Sequence, residues 1–300
     1  MDRDLLAHLP IVQAVARHQS FAAAAGELAM SPSAVSHAVR TVEDRLDAPL
    51  FVRTTRSVSL TDAGTRFLAS VGAALDDIAK AAEDLSAERG EVTGLLRLNI
   101  PRAALDMALT PVLARLGWQH PRLTVEIHSD DAFVDIVARG FDAGIRLGET
   151  VQQDMIAMRL TRPFKMILVA SSAYLDAKRT PRTVTDLHAH NCIGFRMAGS
   201  GGIYEWELTS GKKITSIKTT GTALVNDIMH ARELALAGIG IAYMAEPLVR
   251  QHIREGRLKW ILAQTATLED GLFLYYPRRA SLAPKLRAFI DTAKAVLKAS

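Results

Sequence analysis

Short hydroxyl side chains, a histidine and an arginine recur at helical spacing near the start of the chain. Ser33, Ser36, His37 and Arg40 share one face of a helix that the sequence predicts from residue 32 to about residue 47. Hydroxyl, imidazole and guanidinium groups hydrogen-bond to the edges of nucleic-acid bases and to phosphates. We therefore expect this face to enter the major groove of DNA. The helical residues assigned to the DNA contact are Ser31, Pro32, Ser33, Ser36, His37 and Arg40.

A basic hairpin follows this helix. Residues 50–52 and 58–60 are predicted as two short strands, and the segment Arg53-Thr54-Thr55-Arg56-Ser57 forms the predicted tip. Cations and hydroxyls at a hairpin tip suit contacts to the phosphates beside a major groove. We expect Arg53, Thr54 and Arg56 to make such contacts.

The elements that would position these side chains form a winged helix-turn-helix. The alanine-rich segment 22–29 favours a first helix. After a short break, Ser31 is a good N-cap and Pro32 suits the first position of a second helix. The apolar stripe of that helix is Val35, Val39, Val42 and Leu46. A small helical bundle with an exposed polar face is the alternative, and the basic wing argues against it.

Residues 20–64 resemble the DNA-binding domain of LysR-type transcriptional regulators. The resemblance rests on the run AAxELxxSxSAVSxxVRxxEDRLxxPLFxRTTRSVxLT and continues to the end of the chain. It implies a regulator that binds promoter DNA. One departure is Pro10 in the first helix, which we expect to kink that helix without touching the recognition face.

The composition restricts the class of protein. The chain has 300 residues and 49% hydrophobic content, enough for more than one packed domain. We expect no membrane span, no signal peptide and, with the single Cys192, a reducing cytoplasm. The net charge is +4, but residues 1–60 hold six Lys/Arg and six Asp/Glu. The placement of the arginines, and not the overall charge, therefore supports DNA binding.

A long helix is predicted between the two parts of the chain. Thr61 can cap it, and apolar residues then alternate at spacings of three and four. A seam of this length is typical of a dimerisation helix, and two copies of a short recognition helix would read a symmetric DNA site. Packing of the seam against its own domain is the alternative. The predicted seam is Leu68, Val71, Leu75, Ile78, Ala82 and Leu85.

From residue 95 onward, apolar strands alternate with helices. This pattern predicts an α/β domain with mostly parallel sheets. Strands are expected in LLRLNI, LTVEIH, FDAGIRL, FKMILVA, CIGF, SIKTTGTALV, GIGIAYM and GLFLYY. Helices are expected at residues 105–118, 131–139, 227–237, 246–255 and 284–298.

The resemblance implies the architecture of this second part. LysR-type effector domains resemble type 2 periplasmic solute-binding proteins, with two α/β lobes, two crossing strands and a cleft. In this part of the chain, the resemblance rests on the runs VARGFDAGIRLGE, NCIGFRMAGSGGIYEWEL and VNDIMHARELALAGIGIAYM. We expect a DNA-binding domain at 1–60, a linker helix at 61–90 and an effector domain at 91–300. Lobe one would be 91–163 with 270–300, lobe two 164–269, and the crossings would lie at 162–165 and 266–271.

Ligands of α/β folds bind beyond the carboxyl ends of strands, near helix N-termini. The effector-binding residues predicted on this basis are Arg102, Ala103, Ser129, Asp130, Arg146, Gly148, Arg196, Ser200, Asn226 and Asp227. Arg102, Arg146 and Arg196 could clamp a carboxylate, and each could instead form an ion pair within the protein. Asp130 and Asp227 could be plain N-caps. An organic anion is favoured over a cation.

Other chemistry finds little support in the sequence. His188 and His190 with Cys192 could suggest a metal site, but a pair of loop histidines is the favoured interpretation. No nucleophile elbow, P-loop or dinucleotide fingerprint occurs. No cofactor is expected.

We therefore predict a one-component transcriptional regulator, not an enzyme. Its expected partners are double-stranded promoter DNA, a small-molecule effector, further copies of itself as a homodimer or homotetramer, and RNA polymerase. A solute-binding protein of a transporter and an enzyme built on the same α/β lobes are the alternatives. The helix-turn-helix argues against the first, and the lack of a catalytic constellation argues against the second.

Overall fold

A computed structural model describes most of the chain: residues 3–53, 58–88, 91–132, 134–148, 154–211, 213–278, 280 and 283–298. Its contacts divide the chain into two compact units, Met1–Gly90 and Glu91–Ser300, which are described separately here. Within the described ranges, no helix is long and apolar enough to cross a membrane.

Three short helices form the body of the N-terminal unit. They are α1 (Arg3–His18), α2 (Phe21–Glu27) and α3 (Pro32–Leu46). The side-chain oxygens of Ser20 and Ser31 accept hydrogen bonds from the first turns of α2 and α3. Asp47 ends α3 in the left-handed conformation. The predicted N-cap Ser31 and the predicted first residue Pro32 are confirmed.

The core of this unit lies between the three helices. Val35, Val39 and Val42 of α3 are buried there, as their spacing predicts, and Leu46 packs against the same cluster. Helix α1 continues through Pro10 from Arg3 to His18.

The wing is a two-stranded antiparallel hairpin. Strands β1 (Phe51–Arg53) and β2 (Val58–Leu60) pair with Phe51 opposite Leu60. Strand β1 begins one residue later than predicted. Just before it, the Glu43 carboxylate of α3 accepts the N–H of Leu50 at 2.8 Å and the N–H of Phe51 at 3.1 Å. The recognition helix therefore holds the start of the wing in place.

Helix α4 (Asp62–Glu88) follows the wing directly. The Thr61 hydroxyl oxygen accepts the N–H of Gly64 at 2.9 Å, which confirms the predicted cap. The same hydroxyl donates to the carbonyl of Pro49 at 2.7 Å, so α4 is fixed to the wing from its first turn.

The first half of the C-terminal unit, lobe one, is built on a five-stranded sheet. Its strands are β3 (Gly94–Ile100), β4 (Leu123–Ser129), β5 (Ala143–Leu147), β6 (Met155–Arg159) and β15 (Leu272–Pro277), in the order β4-β3-β5-β15-β6. Strand β3 runs parallel to β4 and β5, whereas β15 runs antiparallel to β5 and β6. Helices α5 (Thr110–Gln119) and α9 (Pro284–Leu297) contribute to its core, and a π-helical turn, Leu105–Leu109, precedes α5.

Lobe two is centred on strand β7 (Phe164–Ser171). Strands β12 (Ala242–Ala245), β13 (Leu258–Ile261) and β14 (Thr267–Glu269) all pair with it antiparallel. A parallel pair, β8 (Gly194–Phe195) and β11 (Leu224–Val225), and a hairpin, β9 (Trp206–Ser210) and β10 (Lys213–Ile217), complete the strands. The helices are α6 (Ser172–Lys178), α7 (Ile228–Leu236) and α8 (Glu246–Arg254).

Two segments connect the lobes and pair with each other. Glu269 lies opposite Phe164 and Thr267 lies opposite Met166. The pair Glu269–Phe164 falls within the segments predicted as the crossing strands, whereas Met166 lies one residue beyond the first of them. Gly271, with φ of +101°, follows them, and a Cβ there would lie 2.8 Å from the carbonyl oxygen of Thr161.

Three predictions of secondary structure were wrong. The segment 131–139 is not a helix in its described residues, because the Asp135 carboxylate accepts the N–H groups of Val137 and Ala138 and forms a turn. The run SIKTTGTALV, residues 216–225, is divided between β10 and β11. The lobe-two sheet around β7 is antiparallel, although mostly parallel sheets were expected. An apolar run predicts burial on both faces of a strand but not the direction of its neighbours.

Substitution of Gly64 tests the close approach of α4 to the residue before the wing. A Cβ on Gly64 would lie 2.2 Å from the backbone oxygen of Leu50, so Gly64→Ala should lower the free energy of unfolding by about 1–3 kcal/mol. A Cβ on Gly26 of α2 would meet nothing within 4 Å, and Gly26→Ala should raise stability by about 0.5–1 kcal/mol. Urea unfolding of both variants measures the difference. Equal effects of the two substitutions would contradict the packing described.

Candidate functional site

The exposed face of α3 carries most of the predicted DNA-contacting side chains. Ser33, His37 and Arg40 are exposed, whereas Val35 and Val39 on the other side are buried. Ser31 and Pro32 are also exposed at the start of the helix. The helix thus presents one polar and one apolar side, as the spacing predicts.

Ser31 already serves the helix. Its side-chain oxygen accepts the N–H of Ala34 at 3.2 Å and lies 3.0 Å from the Ser33 hydroxyl oxygen. The Ser31 oxygen therefore uses one lone pair to cap the helix, and the Ser33 hydroxyl is hydrogen-bonded to the same oxygen.

Arg53 is not a free cation at the wing tip. Its guanidinium donates to Ser36 Oγ at 3.2 Å, pairs with Glu43 Oε2 at 3.1 Å and lies 4.5 Å from the ring centroid of Phe21. This charge is paired with a carboxylate within the protein, and the phosphate contact of Arg53 stays a prediction. Arg53 joins the wing to α3, and Ser36 is half-buried beneath it. Thr54 and Arg56 lie outside the described residues.

The predicted seam of α4 has two parts. Leu68, Val71 and Leu75 are half-buried and pack against the core of their own unit. Ile78 is 67% exposed. Packing against its own domain therefore accounts for the first three residues, and Ile78 is left for another partner. The side chains of Ala82 and Leu85 lie outside the described part of α4.

In the C-terminal unit, Arg102 bridges the two lobes. Its Nη1 donates to Asp131 Oδ2 at 3.0 Å in lobe one and to the Asn226 carbonyl at 2.9 Å in lobe two. Its Nε lies 3.6 Å from Asp227 Oδ2. Of the two roles considered for this arginine, the geometry favours the ion pair within the protein, because two carboxylates already offset the charge.

The other two arginines of the predicted clamp also have protein partners. Arg146 Nε donates to the Tyr275 hydroxyl at 2.8 Å, and its Nη2 approaches the carbonyls of Ala132 and Val134. Arg196 is exposed, and its Nη1 donates to the Gly201 carbonyl at 2.6 Å. Each of the three guanidinium groups therefore has a hydrogen-bond partner within the protein.

The two aspartates accept backbone N–H groups two residues ahead of them. Asp227 Oδ1 accepts the N–H of Met229 at 2.8 Å at the start of α7, and Asp130 Oδ1 accepts the N–H of Ala132 at 2.9 Å. The capping alternative accounts for Asp227, which also faces Arg102, whereas Asp130 stabilises a turn because no helix follows it in the described residues.

The remaining predicted cleft residues lie at turns and strand ends. Ser129 ends β4 and is exposed, while Ala103 of lobe one packs against a lobe-two cluster. Gly148 has φ of +76°, a conformation that favours glycine. In the loop 197–202, the Ser200 hydroxyl oxygen accepts the N–H of Gly202 at 3.2 Å.

A second interlobe contact was missed by the sequence reasoning. Arg232 of α7 donates to Asp106 Oδ2 of lobe one at 3.1 Å, and Met107 packs against the same lobe-two cluster as Ala103. The lobes therefore meet through the residues that follow β3. No signal in the sequence pairs residues 126 positions apart, because only the folded topology brings them together.

Acidic groups gather beside the crossing strand β14, which the sequence reasoning also missed. Burial raises the pKa of the Glu269 carboxyl, and the charges of Glu207 and Asp270 raise it further. Nearby, burial raises the pKa of Tyr243 to about 12, and its hydroxyl donates to the Glu207 carbonyl at 2.7 Å. The negative charges of this cluster disfavour the binding of an anion close to the crossing strands.

The fold and the exposed α3 face define a DNA-binding regulator with an α/β effector-binding domain. Two family models match the chain. Residues 6–65 match the bacterial regulatory helix-turn-helix protein of the lysR family, and residues 89–298 match the LysR substrate binding domain. The chain belongs to the LysR family of transcriptional regulators, which are not enzymes.

Curated relatives are similar over nearly their whole length. A transcriptional regulator of Pseudomonas aeruginosa is 39% identical over 94% of this chain and 92% of its own. YcaN of Escherichia coli is 38% identical over 94% of this chain and 92% of its own. PgrR of Escherichia coli is 33% identical over 98% of both chains.

Solved structures share the architecture. CrgA, a LysR-type transcriptional regulator from Neisseria meningitidis, has a TM-score of 0.62 at 27% identity and covers 99% of both chains. A full-length variant of AphB has a TM-score of 0.73 at 22% identity, over 96% of this chain and 97% of its own. The second likeness concerns the fold alone.

Arg53 and Arg40 should differ in what they do for stability. Arg53→Ala removes the contacts with Glu43, Ser36 and Phe21, and we expect the free energy of unfolding of the N-terminal unit to fall by about 1–2 kcal/mol. Arg40 is exposed and has no hydrogen bond or ion pair to the described residues, so Arg40→Ala should change it by less than about 0.5 kcal/mol. Denaturant unfolding measures both. An equal loss in the two variants would show that the Arg53 contacts do not hold the wing.

Proposed function

We propose that this chain binds operator DNA with α3 and that a small molecule in the interlobe cleft controls this binding. The observation that carries the DNA part is the polar face of α3, where Ser33, His37 and Arg40 are exposed above a buried valine stripe. Exposed hydrogen-bonding groups on the N-terminal half of a recognition helix are suited to base edges and phosphates.

Roles for the individual residues follow from their exposure. Ser33 and His37 are proposed to face base edges, and Arg40 to contact phosphate. Ser36 would act partly through Arg53, which it binds. Thr54 and Arg56 remain proposed phosphate contacts. Mapping the chain's binding sites across the source genome tests the function as a whole, since discrete promoter sites are expected and uniform occupancy would contradict it.

Readout and phosphate contact are distinguished by two variants. Arg40→Ala should weaken binding to every DNA sequence and make the salt slope of log Kd shallower by about one. His37→Ala should relax the preference at one base pair, worth about 1–3 kcal/mol of discrimination. Fluorescence anisotropy over a salt series and a binding-site selection measure these effects.

Arg115→Ala is the matched control, because Arg115 is an exposed arginine on α5 of the other unit. Its salt slope should equal that of the unaltered protein. If Arg40→Ala behaves like Arg115→Ala, the phosphate contact is wrong. If His37→Ala leaves the selected sequence unchanged, His37 does not read a base.

We also propose that the chain is a homodimer through the second half of α4. Ile78 supports this proposal, because it is 67% exposed and continues the apolar seam beyond the residues used by its own unit. A dimer would present two recognition helices to a symmetric site. Pairing of dimers would give a homotetramer, and RNA polymerase is a further proposed partner at the promoter. A cytoplasmic location is proposed, because the target is promoter DNA.

A charge at Ile78 tests this interface. Ile78→Glu would place an unpaired carboxylate in the seam, at a cost of several kcal/mol, and should give monomers with weak operator binding. The monomer should stay folded, because Ile78 is exposed within its own unit. Asp77→Lys, an exposed position away from the seam, is the control. Light scattering measures the mass, and a dimeric Ile78→Glu would move the interface elsewhere.

For the cleft, we propose that the effector changes the closure of the lobes. Arg102 and Arg232 each join the two lobes, so a ligand that competes with these contacts or adds to them would shift the equilibrium between lobe positions. LysG of Corynebacterium glutamicum has a TM-score of 0.60 at 18% identity, and its full-length structure holds the effector arginine. We retain an organic anion as the proposed class, with Arg196 and Arg146 as its partners.

Removal of the Arg102 bridge should widen the distribution of interlobe distances. We expect this of Arg102→Ala, since it loses charge-assisted bonds to Asp131 and Asn226. The control is Arg122→Ala, which breaks an exposed ion pair with Glu91 inside lobe one. Electron spin–spin distances between labels at Thr124→Cys and Lys259→Cys report the separation. Burial raises the pKa of Cys192 to about 11, so this thiol should react little with the label.

The bridge does not control closure if Arg102→Ala and Arg122→Ala give the same distance distribution. The effector is tested on the same proteins with a thermal-shift screen of metabolites. A bound organic anion should lose affinity when Arg196 is replaced by alanine, because a charge-assisted partner is lost. An unchanged affinity would contradict the assigned role of Arg196.

A further inference from the structure

A cavity of about 680 Å³ lies in lobe two, away from the residues assigned to the interlobe cleft. It is bounded by helix α6, residues 188–191, residues 220–222 and the segment 237–239 after α7. Its volume falls within the range of about 300–1,000 Å³ that is usual for small-molecule sites. None of the ten predicted effector-binding residues lines it.

One side chain joins three walls of this cavity. Asn191 Oδ1 accepts the N–H of Thr222 at 2.7 Å, and its Nδ2 donates to Thr222 Oγ1 at 3.0 Å and to the Ile239 carbonyl at 2.6 Å. The amide group therefore uses both of its ends to hold neighbouring loops. The cavity is formed in advance by these bonds, and a ligand would not have to order it.

Two glycines allow the walls to approach each other. A Cβ on Gly221 would lie 2.0 Å from the Cys192 carbonyl oxygen, and a Cβ on Gly240 would lie 2.2 Å from the Asn191 carbonyl oxygen. Both contacts are with backbone, which cannot move aside as a side chain can. Glycine is therefore required at both positions to keep this packing.

His190 has a defined hydrogen-bonding state at the wall. The buried Tyr174 hydroxyl accepts the N–H of Asn191 at 2.9 Å and lies 3.1 Å from His190 Nδ1. This contact occupies Nδ1 and leaves Nε2 as the free ring nitrogen. In the tautomer in which the hydroxyl donates to Nδ1, the neutral ring carries its proton on Nε2 and can donate it to a ligand. When the ring is protonated, Nε2 is still a donor. His190 Nε2 has no hydrogen bond within the described residues, so this donor is left for a ligand.

The charged groups that line the cavity are all basic. They are Lys178, His188 and His190, and no Asp or Glu is part of the lining. Asp186, which is not part of the lining, accepts the backbone N–H groups of Arg182 and Thr183, and these hydrogen bonds hold the pKa of its carboxyl below the usual value. At the end of α7, the carbonyls of Ala235 and Leu234 are paired with backbone N–H groups, so they do not face the cavity unsatisfied.

We propose that this cavity is a second ligand site, which binds a small organic carboxylate through Lys178 and His190 Nε2. Lys178 would supply the charge and His190 a directional hydrogen bond. Thr220 and Thr222 add hydroxyls at the facing wall. The proposal is independent of the interlobe cleft, because the two sites share no residue.

Histidine resonances of the full-length protein test the proposal. With ¹³Cε1-labelled histidine, the His190 signal is assigned from its loss in His190→Gln. We expect it to move on addition of benzoate or succinate at millimolar concentration, and not on addition of benzamide or succinamide. Lys178→Ala should weaken the response at least about five-fold, because a charge-assisted partner is lost.

Two control variants locate the binding. Lys259→Ala removes an exposed lysine on β13, and Arg196→Ala alters the cleft; both should leave the His190 titration unchanged. The proposal is overturned if neither carboxylate moves the signal at about 20 mM, if the amides act equally, or if Lys178→Ala titrates like Lys259→Ala. Loss of the response in Arg196→Ala would place the ligand in the cleft and also overturn it.

Discussion

One carboxylate of the recognition helix determines where the wing begins. Glu43 accepts two backbone N–H groups, from Leu50 and Phe51, with one oxygen and pairs with Arg53 through the other. Leu50 precedes strand β1 and Phe51 is its first residue, and this acceptor satisfies the N–H groups of both. These bonds join the helix and the hairpin. Any contact made by either on DNA depends on this bond set.

In the C-terminal unit, a small set of named side chains joins the two lobes. Arg102 and Arg232 are each bonded to both lobes, and Ala103 and Met107 of lobe one pack against lobe two. Charged side chains and their hydrogen bonds are part of what holds the lobes in this arrangement. Such contacts can be exchanged for contacts with a ligand at small free-energy cost, which suits a switch more than a rigid core does.

Several functional expectations changed for one physical reason. Arg53 was expected to contact phosphate, and Arg102 to bind either a ligand carboxylate or a carboxylate of the protein; both are bonded inside the protein. An arginine in a sequence reveals a charge and a reach, but its partner is chosen by carboxylates that are distant along the chain. Asp131 and Asn226 approach Arg102 from two different lobes, and no local pattern brings these residues together.

Elements that depend on local interactions could be predicted from the residues alone. Ser31 caps α3, Pro32 opens it, the valine stripe is buried and Thr61 caps α4, because each effect acts within one or two turns of helix. The α/β class of the second unit followed from its alternating pattern. The antiparallel pairing around β7 and the division of the α4 seam became evident only in the folded chain. Strand direction and the partner of an apolar face depend on surfaces that meet only after folding.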